Sequence, residues 1–202
     1  MIKTFIFTFL LSFARSIGFA QTREAIDSLQ HQLVIAKDDT SRINAQTGLC
    51  YFYRLGNDDS SILYGQQALQ LSQQINYPAG EVWALALMSI TMEQMGNLPK
   101  ALEMAFKSLQ IAKIAKPNNS AYLTGPALNA IGETYIILKD YSKALSYLQE
   151  ERSLAKANGS KEGLAYALLD IGLAFEEMNQ LDSAYFYEES AITAFQKYKR
   201  EE

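Results

Sequence analysis

The chain is poor in the residues that most small-molecule chemistry requires. Its 202 residues include one cysteine, one histidine and one tryptophan, with only four prolines. A lone cysteine, Cys50, excludes an internal disulfide, so stability must come from packing. Cys50 has no basic neighbour in sequence closer than Arg54 to activate its thiol, and reads as a packing residue. The single histidine, His31, sits among polar helix-face residues and reads as solvated. Acidic pairs occur at Asp38-Asp39, Asp58-Asp59, Glu150-Glu151, Glu176-Glu177 and Glu188-Glu189. Neighbours on a helix point in different directions, and the aspartate pairs fall in turns where they suit helix starts. No calcium-loop spacing and no glycine-rich phosphate loop occurs, so the sequence predicts neither an enzyme nor a metal or cofactor site. There is also no long block of one charge and no low-complexity tract.

What is present begins with an N-terminal apolar run. "MIKTFIFTFLLSFARSIGFA" carries Lys3, an apolar stretch and a small-x-small ending, Gly18-Phe19-Ala20, the layout of a secretory leader cut before Gln21. Arg15 stops the run short of the roughly 20 apolar residues that a membrane span needs. With Cys50 the sole thiol, none stands at residue 21 to carry a lipid. The expectation is an exported protein, periplasmic or extracellular, with no membrane span after removal of residues 1–20. That removal takes away Lys3 and Arg15 and no acid, moving the net charge from −4 to −6. An acidic chain lacks the Lys and Arg that neutralise phosphates, so nucleic acid is not an expected partner.

Residues 41–202 repeat. "IGETYIILKDYSKAL" begins at Ile131 and "IGLAFEEMNQLDSAY" forty residues later, and each sets a glycine inside a helical apolar pattern. Gly132 is followed by Tyr135 at +3 and Ala144 at +12, and Gly172 by Phe175 and Ala184 at the same offsets. Ser61, Ala101, Ala144 and Ala184 are spaced 40, 43 and 40 residues apart, each after a short breaking link: "GNDDS", "GNLPK", "KDYSK" and "NQLDS". At +7 from these come Ala68, Ser108, Glu151 and Ala191, of which only Glu151 is not small. Amphipathic stretches flank each link, so the predicted unit is helix, tight turn, helix.

These motifs resemble the tetratricopeptide repeat family, whose pattern takes Gly or Ala at position 8, an aromatic at 11, and Ala at 20 and 27. Gly132, Tyr135 and Ala144 fit in the third unit; Gly172, Phe175, Ala184 and Ala191 fit in the fourth. The second unit departs with Ser89 and Met92, and the first with Leu49. The resemblance implies an all-α, right-handed superhelical solenoid of antiparallel helix pairs. The expected layout is a capping helix at 21–40, then units at 41–78, 79–117, 118–158 and 159–202. "KPNNSAYLTGP" at 116–126 reads as a loop, with a regular helix only from Pro126. A glycine in a helix costs about 1 kcal/mol against alanine, and close helix crossing at position 8 would offset it.

In the family the first helix of each unit lines a concave surface. Carried over, those positions give Tyr53, Arg54, Trp83, Glu93, Gln94, Asn129, Glu133, Tyr166, Glu176 and Glu177. Their mixture of aromatics, amides and acids suits a protein or peptide ligand more than a clamp for carboxylates, which needs several cations. The expected function is a non-catalytic protein-binding scaffold. The second expectation is the input module of a bacterial signal-transduction protein, a histidine kinase or transcriptional regulator whose output region is absent from this chain. The last helix carries Tyr185, Phe186, Tyr187, Ile192, Phe195 and Tyr198 on more than one face, which predicts self-association or a partner contact there.

Overall fold

The computed structural model describes residues 22–115 and 117–199; the leader expected over residues 1–20 lies outside the described residues. Among these residues nine helices and no strands occur. They are α1 (22–35), α2 (Asp39–Tyr53), α3 (Asp58–Gln74), α4 (Pro78–Gln94), α5 (Leu98–Ile114), α6 (Pro117–Ile137), α7 (Tyr141–Asn158), α8 (Lys161–Glu177) and α9 (Leu181–Lys199).

The links act as helix caps. Asp38, Asn57, Asn97, Asp140 and Ser160 each accept a hydrogen bond from a backbone N–H three residues on, satisfying a donor that the first turn leaves free. Four helices, α3, α4, α6 and α8, are followed by a left-handed residue, at Asn76, Gly96, Lys139 and Asn179. The N–H after each then reaches back across the last turn, as from Asp140 to the Tyr135 carbonyl at 3.0 Å. Gly96 adopts this conformation freely, whereas Lys139, at φ 60°, carries the steric penalty of its Cβ.

Each helix packs on the next, and α2, α4, α6 and α8 also pack on one another in series. Among the described helices, α3, α5, α7 and α9 make no comparable contacts with one another. An inner row that touches and an outer row that splays give a curved stack, with the first helix of every pair on the concave side. This is the all-α solenoid of helix pairs that the repeat implied.

Close crossing within the pairs is achieved in two ways. In α6 a Cβ at Gly132 would stand 2.5 Å from Leu148 Cδ2 and 2.6 Å from its Cγ, both on α7. In α8 a Cβ at Gly172 would stand 3.0 Å from Glu188 Cγ on α9, with the Glu188 nitrogen at 3.4 Å and the Ala184 carbonyl oxygen at 3.5 Å. Gly132 therefore makes room for the Leu148 side chain one turn beyond Ala144, and Gly172 for the first part of the Glu188 side chain on α9. In α4 the same position holds Ser89, whose hydroxyl donates to the Ala101 carbonyl at 2.8 Å. In the first pair Ser61 Oγ donates to the Cys50 carbonyl at 2.9 Å and lies 2.8 Å from Thr91 Oγ1 on α4. The aromatics stack across the pairs: Tyr135 on Tyr147 with ring centroids 5.9 Å apart, and Phe175 on Tyr187 at 5.4 Å.

One expectation fails. From Pro117 on, the segment read as a loop is the first part of α6, which contains Pro126. Pro117 suits a first turn because its missing N–H would have no partner there. Pro126 removes one interior donor, which the surrounding helices evidently tolerate. At the N-terminal end α1 lies on α2: Leu29 fills the space above Gly48, and Gln30 Nε2 donates to Tyr53 Oη at 3.0 Å.

Candidate functional site

The curvature encloses a cavity of about 520 Å³ on the concave side, within the range of ligand sites. Its walls come from every inner helix. Thr47, Gly48, Tyr51 and Arg54 project from α2; Trp83, Leu87 and Ile90 from α4; Gly125, Pro126, Asn129 and Glu133 from α6. Glu151 and Leu154 reach in from α7, and Glu162 and Tyr166 from α8. The mouth is narrowed by a contact between the first and last pairs. Burial raises the Tyr166 pKa to about 12, and the neighbouring Tyr51 phenol pushes the same way through its charge and a side-chain hydrogen bond. The Arg54 guanidinium lies 4.6 Å from the centre of the Tyr51 ring, a cation–π distance. The edge of Tyr166 meets Phe195 of α9 with centroids 5.3 Å apart, which fixes the ring from behind.

The floor is acidic. Glu93, Glu133, Glu151 and Asp170 come from four helices and perturb one another electrostatically. Glu151 is 4% exposed and Asp170 6% exposed. Asn129 bridges the two, with its Nδ2 donating to Asp170 Oδ2 and its amide also bonded to Glu151. Thr134 Oγ1 lies 2.8 Å from Glu93 Oε2. Burial pushes all four carboxyls above the ordinary range, Glu133 to about 8 and Asp170 to about 7, and repulsion from neighbouring carboxylates pushes Glu133, Glu151 and Asp170 the same way. Arg54 opposes this at Glu93 and Glu133 only.

The ten residues expected to face the groove divide. Arg54, Trp83, Asn129, Glu133 and Tyr166 line the cavity, and Glu93 joins the acids beneath it. Tyr53 instead stacks on Tyr64 of α3 at 5.5 Å, and Gln94, Glu176 and Glu177 are exposed at helix ends away from the cavity. Tyr51, Glu151 and Asp170 were missed. Glu151 had given a signal, as the one large residue in a column of small ones. Cys50 is fully buried, and its thiol is pushed up to about 11 by desolvation, which leaves it unreactive.

Comparison with known proteins agrees with the architecture. Residues 123–197 match the family model of the tetratricopeptide repeat. The apo form of RapI superposes with a TM-score of 0.64 at 19% identity, covering 96% of this chain and 70% of that one. BtubC (BKLC) from P. vanneervenii gives 0.59 at 14% identity, covering 89% and 72%. A signal-transduction ATPase with numerous domains from Pyrococcus horikoshii, described as having a tetratricopeptide repeat sensor, gives 0.61 at 22% identity; this chain spans 29% of it. These identities speak to fold alone. No match was found among curated proteins. The family model thus covers the last two helix pairs, and the solved structures share the all-α solenoid fold along most of the chain.

Proposed function

We propose that this chain is a non-catalytic scaffold that binds a protein or peptide segment in the concave cavity. The observation that carries this reading is the cavity itself, assembled from all four inner helices. It offers aromatic surface at Trp83, Tyr51 and Tyr166 beside polar groups at Asn129 and Glu133, a composition that suits an anchored segment. The leader-like N-terminus supports binding outside the cytoplasm.

The test is capture of partners by the full chain beside two variants. Trp83→Ala/Tyr166→Ala removes the aromatic walls. Gly125→Leu adds bulk where a Cβ would meet nothing within 4 Å, and improves helix propensity. Partners held by the wild type and lost from both variants are the expected result; equal recovery by all three overturns the cavity assignment.

A second reading is an input module of a signalling protein, supported by the Pyrococcus horikoshii neighbour with its repeat sensor. An output region in the same reading frame beyond Glu202 would decide for it. Self-association through α9 is a further part of the proposal, because Leu181, Tyr185, Phe186 and Ile192 are all more than half exposed. A sedimentation mass equal to one chain at all concentrations would remove it.

A further inference from the structure

The concave cavity contains a buried carboxyl oxygen that no group in the protein pairs with. Glu151 is almost fully buried and lines the cavity, and its Oε2 has no hydrogen-bond partner. A buried acceptor left unsatisfied is destabilising, so native proteins rarely keep one without a use. The groups facing it are Asn129 and Glu133 from α6 and Asp170 from α8, with Glu93 of α4 beside Asp170. Arg54 of α2 acts on Glu93 and Glu133, while Glu151 and Asp170 receive only the Asn129 amide as a lowering influence.

A bare metal ion does not suit this arrangement. Among the described residues no group of three or more acidic, histidine or cysteine side chains is placed to hold one. The walls above the acids are apolar and aromatic, with Leu87, Ile90, Leu154 and Trp83 on the way in. That sequence of surfaces matches a flexible aliphatic stem that ends in a charge.

We propose that the cavity receives the cationic end of a lysine or arginine side chain from the bound partner, with Glu151 as its principal acceptor and Asp170 and Glu133 as its surrounding counter-charge. This deepens the scaffold reading and rests on it. A cation seated there stabilises the ionised carboxylates, so binding releases protons and strengthens as pH rises through neutrality.

The test is selection from a random heptapeptide library on the immobilised full chain. It is run in parallel on Glu151→Gln, which keeps shape and removes charge, and on Glu133→Gln, on the accessible cavity wall. Melting by circular dichroism confirms that each variant is folded. The wild type should enrich lysine or arginine at one peptide position, and Glu151→Gln should abolish that enrichment. Replacing the selected lysine by norleucine, or the selected arginine by citrulline, should weaken binding at least tenfold. Calorimetry at pH 7.5 in buffers of different ionisation enthalpy should show net proton release. Selected peptides without a basic residue would overturn the cation assignment and leave the scaffold reading standing. No enrichment on any variant would overturn both. A thermal shift with 1,5-diaminopentane, absent in Glu151→Gln and unaccompanied by peptide enrichment, would make the ligand a free amine and overturn the side-chain assignment.

Discussion

The two halves of the solenoid solve one packing problem with different chemistry. In α6–α9 the inner helices carry Gly132 and Gly172, and the partner helix fills the vacated space directly. In α2–α5 Leu49 and Ser89 stand where the later inner helices have those glycines, and buried hydroxyls bond across the crossings: Ser89 to the Ala101 carbonyl, and Ser61 to both the Cys50 carbonyl and Thr91. The glycine route gains contact area and the serine route gains a directed bond, yet the helix pairs stack alike. The family match, confined to residues 123–197, follows the glycine route, whereas the fold extends through both halves. Architecture here is conserved along the chain by geometry, and sequence similarity registers only one of its two implementations.

Substitutions that attack each route should separate them. The largest effect belongs to Gly132→Val, because Leu148 is fully buried and its Cγ lies where the new side chain must go. A loss of about 3 kcal/mol, at the upper end for overpacking, is expected by urea denaturation. Gly132→Ser should be milder than Val but worse than wild type, since Leu148 rather than a carbonyl occupies the space.

Next comes pH, which tests the acidic floor. Folded Glu133 and Asp170 keep their protons to about 8 and about 7, above their ordinary values of 4.5 and 3.8. The folded state therefore binds more protons than the unfolded chain between those limits. The stability they contribute is fully present below about pH 4 and lost as pH rises through 7 and 8. A decline in stability by urea denaturation from pH 5 to pH 8 is therefore expected. In Asp170→Asn the slope should flatten; an unchanged slope would mean that these acids titrate normally.

On the serine side, Ser61→Ala and Ser89→Ala should each cost about 1 kcal/mol, the ordinary worth of a buried hydrogen bond. Ser89→Gly should not restore the loss, because α5 offers no side chain seated as Leu148 is. Smallest is Lys139→Gly, expected to raise stability by about 0.5 kcal/mol as relief of the left-handed strain outweighs the added chain entropy.

Particular residues show what the sequence could disclose. The spacing of Ser61, Ala101, Ala144 and Ala184 made the helix-turn-helix unit legible, because caps and crossing points depend on local order. The stretch at 116–126 misled, since its prolines and asparagines carry turn signals that packing overrode in α6. Glu151 was visible as an exception to the small-residue column, but its neighbours Asn129 and Asp170 lie on helices 22 and 19 residues away, and nothing local announces their meeting. Tyr53 was assigned to the groove by repeat position, whereas its ring follows the stacking partner Tyr64.

Trp83 is the chain's only tryptophan and stands on the cavity wall, so its fluorescence reports that site and no other. The most direct measurement is a titration of the full chain with a selected heptapeptide, following Trp83 emission beside calorimetry. The account predicts a saturable spectral shift at the calorimetric affinity, lost in Gly125→Leu. Calorimetric binding that leaves Trp83 emission unchanged, and that persists in Gly125→Leu, would contradict the concave cavity as the binding site.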